Sequence, residues 1–167
     1  IESLAEQAGV DEPLVEEDEK EMIGQIFQLD ITEVREVMVP RIKIIAIDKS
    51  ASFEDIRRMT KEYGFSRYPV FEGNIDNIIG ILYVKDLFTD ASPEPPDFNI
   101  ADWMRVPHFV PETKIISDLL KEFKSTKVHI AIAVDEYGGT AGLITLEDIL
   151  EEVIGDFGAN GLWMYET

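Results

Sequence analysis

Two stretches of this chain carry the same pattern twice, and that duplication restricts the fold more than any other feature of the sequence. The first copy opens with Val37-Met38-Val39-Pro40-Arg41 and an apolar strand, Ile44 to Ile47. A helix follows, started by Ser52 and Asp55, faced by Phe53, Ile56 and Met59 and stopped at Gly64. Arg67-Tyr68-Pro69-Val70-Phe71 reads as a strand, Gly73-Asn74 as a turn, and Ile78 to Leu82 as the returning strand. A short helix begins near Val84-Lys85-Asp86-Leu87. The second copy opens with Trp103-Met104-Arg105-Val106-Pro107, and its helix starts after Thr113 and carries Ile115, Ile116, Leu119, Leu120 and Phe123. Its strands are His129 to Val134 and Ala141 to Ile144, joined by the turn Asp135 to Gly139. The last helix carries Leu146, Ile149, Leu150, Val153 and Ile154 and stops at Gly155. Met38 corresponds to Met104, Asp55-Ile56 to Asp118-Leu119, Gly80 to Gly142 and Asp86 to Asp148.

Each unit reads strand, helix, strand, strand, helix. A domain of about 60 residues hides only about 60% of its unfolded surface, so the two copies are expected to pack together through their sheets. The predicted fold class is α/β (α+β), with residues 37–90 as the first unit, 91–99 as a polar, proline-rich linker and 100–156 as the second. Residues 1–36 precede them as an acidic helical segment, and 157–167 form a tail without a functional reading. The segment 1–36 holds twelve carboxylates against Lys20 and Arg35. Met22, Ile23, Ile26 and Phe27 recur there at helical spacing. Asp30, with Glu33 three residues on, is expected to cap a second short helix that ends before Pro40.

The chain of 167 residues has a net charge of −19, from 34 acidic and 15 basic side chains. Phosphate-backbone binding needs clustered Lys and Arg, so a nucleic-acid partner is excluded, as is docking on anionic lipid. Cysteine is absent, which excludes disulfides and thiolate metal sites and is compatible with the cytosol. No apolar run approaches the roughly 20 residues that cross a bilayer. The start at Ile1, in mid-pattern, reads as part of a longer chain. There is no Ser/His/Asp constellation, zinc spacing or Gly-x-x-x-x-Gly-Lys-Ser/Thr loop, so the chain is not expected to be an enzyme.

The repeated β-α-β-β-α unit, opening on apolar-Met-x-Pro and closing on Gly-x-x-x-x-x-Asp, resembles the CBS domain, and two in tandem resemble a Bateman module. The run from Asp135-Glu136-Tyr137-Gly138-Gly139 through Thr145-Leu146-Glu147-Asp148 to Gly155-Asp156 narrows the resemblance. With Arg67-Tyr68-Pro69-Val70 and Val37-Met38-Val39-Pro40-Arg41, it is similar to the CorC/HlyC and cyclin M (CNNM) magnesium and cobalt transport family. The resemblance implies a cytoplasmic module that binds an adenine nucleotide, ATP or AMP, with or without Mg2+. It also implies a homodimer through the CBS pairs, a membrane domain in the parent protein, and a regulatory role in transport.

The nucleotide reading rests on the end of the second copy. Gly142, lacking a side chain, permits close approach of another group. Thr145, where strand becomes helix, offers a hydroxyl and free N–H groups to a phosphate. Asp148 can accept from both hydroxyls of a ribose. Val39 and Ile44 are expected to line a slot for the base, with Tyr68 and Pro69 as walls. By resemblance, Ser66 and Arg67 from the other copy reach the phosphates, with Arg41 as a further cation. Thr-x-x-Asp is equally a helix capping box, and the two readings are not exclusive. In the first copy, Asp86 persists but Tyr83 replaces the hydroxyl residue. A second, weaker site is assigned there, with His129 as a contributor. Two other readings stand beside this one: a nucleotide-free dimerisation module, and direct Mg2+ sensing by the acidic surface.

Overall fold

The computed structural model describes residues 16–88 and 94–155. The first part of the acidic segment, part of the linker and the tail lie outside the described residues.

The chain enters through α1 (Glu17–Gln28), closed at its start by a reciprocal pair of bonds between Glu16 and Glu19. The next helix, α2 (Val34–Val37), is capped by Glu33 and Glu36 rather than by Asp30 and Glu33. Tertiary pairing accounts for this shift. The backbone of residues 29–35 is spent on the second copy: Leu29 and Thr32 carbonyls accept from Ser117 and Ile116, while Val34 and Arg35 donate to Lys114 and Glu112.

The first copy continues with β1 (Val39–Pro40), a 3₁₀ turn at Arg41–Lys43, β2 (Ile47–Asp48) and α3 (Phe53–Tyr63). The predicted strand from Ile44 shrinks to Ile47–Asp48; Ile44 closes the 3₁₀ turn, and Ile44 and Ile45 pack partly buried on the first core. The Ser52/Asp55 capping box starts α3, and Gly64 ends it in the left-handed region at φ 71°. β3 (Arg67–Phe71), β4 (Ile78–Tyr83) and α4 (Val84–Leu87) complete the unit.

The second copy has a 3₁₀ turn at Ile100–Asp102, then β5 (Phe109–Pro111), α5 (Ile116–Thr126), β6 (Ile130–Val134), β7 (Thr140–Thr145) and α6 (Leu146–Ile154). Here α5 ends on Lys127 at φ 61°, a left-handed conformation without glycine.

The strands form a three-stranded sheet, β2-β3-β4, and a four-stranded sheet, β1-β7-β6-β5. The first strand of copy one thus sits at the edge of copy two's sheet, with Val39 opposite Leu143 and Pro40 opposite Gly142. The exchange is reciprocal: Arg105 of copy two bonds both ways with Ile81 of copy one. Alternation along the strands separates two cores. Ile130, Ile132 and Leu143 belong to one cluster with Tyr68, Val70, Ile81 and Leu82 of the first copy, which reaches Phe53 and Ile56 of α3. Ala131, Ala133 and Ile144 face the other way, against Leu119, Phe123 and Ile149 of α5 and α6 and Val34 of α2. At roughly 1.5–3 kcal/mol per fully buried large apolar side chain, the shared core is the main force holding the copies together.

Glycine makes the close crossings possible. A Cβ on Gly142 would lie 2.5 Å from the Met38 sulfur and 2.5 Å from the Val39 carbonyl oxygen. At Gly80 it would collide with Met104, the counterpart of Met38.

Candidate functional site

The start of α6 is built from a capping box. The Thr145 hydroxyl accepts from the Asp148 N–H at 3.2 Å, and Asp148 Oδ2 accepts from the Thr145 N–H at 2.8 Å. Both residues are buried, Asp148 to 2% exposure. That leaves Asp148 Oδ1 buried with no partner. Burial pushes this carboxyl up to about 7; Glu147 and Glu151 add to the rise, and the two bonds with Thr145 oppose it. A buried acceptor without a donor costs roughly 1–3 kcal/mol, so the position awaits a donor that the fold itself does not supply.

One residue away, Glu147 reaches across to the first copy. Its Oε1 lies 3.5 Å from Nη1 of Arg67, and both side chains are largely buried. Arg67 Nε and Glu147 Oε2 are buried without partners, so this pair is loosely made. The Arg67 guanidinium also lies 5.6 Å from the centre of the Tyr83 ring. Beside it opens a cavity of about 360 Å³ whose lining includes Phe65, Ser66, Arg67, Tyr83 and Lys85. Ser66 and Arg67 therefore share one cavity, with a second cation, Lys85, that the sequence reading missed. Its signal was present: Lys85 precedes Asp86 as Glu147 precedes Asp148, so the two ends of the repeat carry opposite charges at one position.

The remaining expected residues fall in different places. Val39 is buried in the β1–β7 pairing, and Ile44 is half-buried against the first core. Gly142 does admit another group closely, but the group is the chain's own Met38 and Val39. Tyr68 is fully buried, its hydroxyl accepting from the Phe65 N–H at 3.2 Å and donating to the Met59 carbonyl at 3.4 Å. Pro69 is likewise interior, opposite Ile81. These two are core residues, because β3 is covered on both faces. Arg41 is held by the Asp76 carboxylate, with Nη2 3.1 Å from Oδ2, and by the Thr140 carbonyl at 3.2 Å. It ties the β3–β4 and β6–β7 turns together.

The first copy's equivalent cleft is different. Asp86 accepts from Arg105 Nε and Nη2, each at 2.9 Å, and the guanidinium lies 3.9 Å from the centre of the Tyr83 ring. Asp86 and Tyr83 are thus brought together. His129 is placed in a separate cavity of about 400 Å³ with Phe123, Lys124, Lys127 and Leu146. Among the described residues, no cluster of three His, Asp or Glu side chains suits a metal ion, and no helix is long and apolar enough to cross a membrane.

Duplicated units around a shared core, one lending β1 to the other's sheet and taking back the Arg105–Ile81 bridge, each ending in a Gly-to-Asp element, define a tandem CBS pair. The CBS domain family model matches residues 34–91 and 100–155. Hemolysin C of Brachyspira hyodysenteriae is 41% identical over 140 residues, covering 84% of this chain and 51% of its own length. The magnesium and cobalt efflux protein CorC of Vibrio cholerae is 38% identical over 143 residues, covering 86% of this chain and 49% of its own. The chain therefore spans about half the length of these curated relatives, and 22% of a chloroplastic DUF21 domain-containing protein of Arabidopsis thaliana. A solved CBS domain of a bacterial CNNM/CorC family Mg2+ transporter superposes with TM-score 0.82 at 40% identity, covering 94% of this chain and 93% of that one. Such a domain in complex with ATP gives 0.78 at 44% identity, over 83% and 99% of the two chains. A CBS-domain pair with bound AMP from Klebsiella pneumoniae gives 0.64 at 31%, over 74% and 99%. This chain belongs to the CBS-domain family, as a CBS pair of the CorC/hemolysin C and CNNM group.

Proposed function

We propose that this CBS pair senses an adenine nucleotide, ATP or AMP, and modulates a CorC-like magnesium or cobalt transporter of which it is the regulatory part. The observation that carries the reading is the buried, unpartnered Oδ1 of Asp148 at the start of α6. A ribose hydroxyl supplies the donor this oxygen lacks. Ser66, Arg67 and Lys85 line a cavity of the first copy, which Arg67 links to Glu147 next to Asp148, and offer positive charge to phosphates, with Mg2+ able to accompany a triphosphate. Bound ATP and AMP in similar CBS pairs support the same class of ligand.

Regulation follows from the pair that a phosphate must break. Arg67 belongs to copy one and Glu147 to α6 of copy two. A phosphate that captures Arg67 releases Glu147 and with it the start of α6, which packs on α1. The shift thereby reaches the helix that precedes the pair, toward a membrane domain of the parent protein. A ligand moves this equilibrium only by binding the two arrangements unequally. Exposed Ile26, Phe27 and Ile31 near α1, with Leu150 and Ile154 on α6, supply an apolar face for a homodimer.

Calorimetry with ATP, ADP, AMP and adenosine, with and without Mg2+, tests the sensing role. Binding of at least one nucleotide is expected, and Arg67→Ala is expected to weaken ATP at least tenfold more than adenosine. No heat from any of the four with folded protein removes the reading. Equal losses for ATP and adenosine remove the phosphate role of Arg67.

A further inference from the structure

The repeat sets one frame in two copies, and at three positions the contents differ in kind. Ile47 pairs with Val70 and Val110 with Ala133, while Val70 and Ala133 lie opposite Gly80 and Gly142. His108 is therefore the counterpart of Ile45, and Lys114 and Glu122 are the counterparts of Ala51 and Met59. In the first copy all three are apolar and pack on the core. In the second copy they form a charged trio. Lys114 Nζ donates to Glu122 Oε1 at 2.9 Å, and His108 Nε2 lies 3.5 Å from Glu122 Oε2.

These last two atoms are buried, and neither has a hydrogen-bond partner. Burial works to raise the Glu122 carboxyl, but the bond and charge of Lys114, with His108 beside it, outweigh burial and hold it below the usual carboxylate range. Glu122 is thus an anion with one oxygen satisfied and the other facing an imidazole nitrogen. A neutral imidazole with its proton on Nδ1 turns a lone pair toward that oxygen. An imidazolium turns an N–H toward it and adds a charge, which makes the stronger bond. The frame itself does not require this trio, since Ile45, Ala51 and Met59 fill it in the first copy, and packed apolar side chains often serve as well as a buried ion pair.

The trio sits behind the segment that fastens the chain's entry. The carbonyls of Lys114 and Glu112 accept from Val34 and Arg35, and Ile116 and Ser117 donate to Thr32 and Leu29. Through Lys114, the Glu122 carboxylate ties this segment to α5, and His108 sets the chain entering β5 against the same carboxylate. We infer that His108, Glu122 and Lys114 form a pH-responsive clasp, closed when His108 is protonated, that fastens residues 29–35, and with them α1, to the second copy. The clasp shares no residue with the nucleotide cleft and does not depend on that reading. Glu122 and Lys114 are the charged groups set against the imidazole. Asp118, Lys121 and Lys124 of α5 are exposed, Glu112 is half-buried, Glu33 pairs with Arg35, and β5 and β6 carry no charge. The stabilisation is present below the range in which histidine changes charge and is lost as pH rises through it.

Amide hydrogen exchange of the chain at pH 6 and pH 8, corrected for the intrinsic rate, reads the clasp. Protection of Val34, Arg35, Ile116 and Ser117 is expected to fall roughly two- to fivefold at pH 8, the size of a partly exposed ion pair, while α3 serves as the internal control. His108→Gln is expected to make protection at these amides equal at the two pH values. So is the combination His108→Ile, Lys114→Ala and Glu122→Met, which installs the first copy's residues. Asp148 titrates in the same range, so the measurement is repeated in Asp148→Asn, where the His108 effect is expected to persist. Equal wild-type protection at both pH values overturns the clasp. So does a fall shared equally by α3, a pH dependence that survives His108→Gln, or one that vanishes in Asp148→Asn. Should the triple variant fail to fold, wild type and His108→Gln decide.

Discussion

Among the described carboxyls, burial moves Asp148 far from its ordinary range, up to about 7. An unfolded aspartate loses its proton near pH 4, whereas burial holds the folded one up to about 7. Between those values the folded protein keeps a proton that the unfolded chain releases, so stability falls as pH rises through this window. The loss approaches about 1.4 kcal/mol per pH unit at its steepest. Asp48, Asp55 and Asp76 are shifted the other way by their hydrogen bonds, so their contribution is lost only as pH falls below the ordinary carboxylate range. Asp148→Asn is expected to flatten the slope between pH 5 and pH 8 in urea melts and to be at least as stable as wild type at pH 8. Nucleotide binding should run opposite to stability. Ribose hydroxyls donate to the ionised form, so affinity rises through pH 7 in wild type and stays low and flat in Asp148→Asn. An affinity independent of pH between 6 and 8 contradicts the ribose role. The capping pattern Thr145/Asp148 was readable from the sequence alone, because it is local. Its burial was not: the identical Ser52/Asp55 box at α3 lies at the surface, and only packing around α6 distinguishes the two.

At the level of elements, the places where two segments touch set the tolerances. Gly142→Ala puts a methyl group against a backbone oxygen that cannot swing aside, and overpacking of this kind costs about 1–3 kcal/mol. The midpoint of denaturant unfolding should fall accordingly, and an unchanged midpoint would mean that β1 does not cross β7 as closely as described. The end of α5 offers the opposite opportunity. Lys127 holds a left-handed conformation that its counterpart at the end of α3 assigns to Gly64. A non-glycine residue there costs about 1 kcal/mol or more, so Lys127→Gly is expected to raise stability by up to about 1 kcal/mol in the same assay. The sequence marked the end of α3 by its glycine and offered no such mark for α5. It also misplaced the cap of α2, because the choice between Asp30 and Glu33 was made by hydrogen bonds to residues some eighty positions away.

Across the whole molecule, the exchanged strands make the two copies one folding unit. Copy two's sheet takes its edge from β1 of copy one, and the core between the sheets draws on both. Thermal unfolding followed by tryptophan fluorescence and by circular dichroism is expected to give coincident single transitions. Residues 100–156 expressed alone should remain unfolded, or fold only when mixed with residues 16–90. Two separated transitions, or a stable isolated copy, would refute this coupling. The same exchange brings Arg67 of one copy against Glu147 of the other, next to Asp148, so a ligand bound at this junction would act on their relative arrangement.

The repeat, the order of its strands and helices, the capping boxes that start α3 and α6 and the Gly-to-Asp elements were all present in the sequence. Each depends on neighbours within a few positions, on glycine's lack of a side chain, or on alternation of apolar residues. The partnerships depended on tertiary structure. The fold decided that Arg41 would belong to Asp76, that Tyr68 would lie in the core, that Arg105 would occupy Asp86, and that Asp148 would keep an oxygen free. Each of these follows from bringing distant segments together in a medium where a buried charge must find a partner or titrate. Local pattern names the groups, and only the packed chain determines which of them meet.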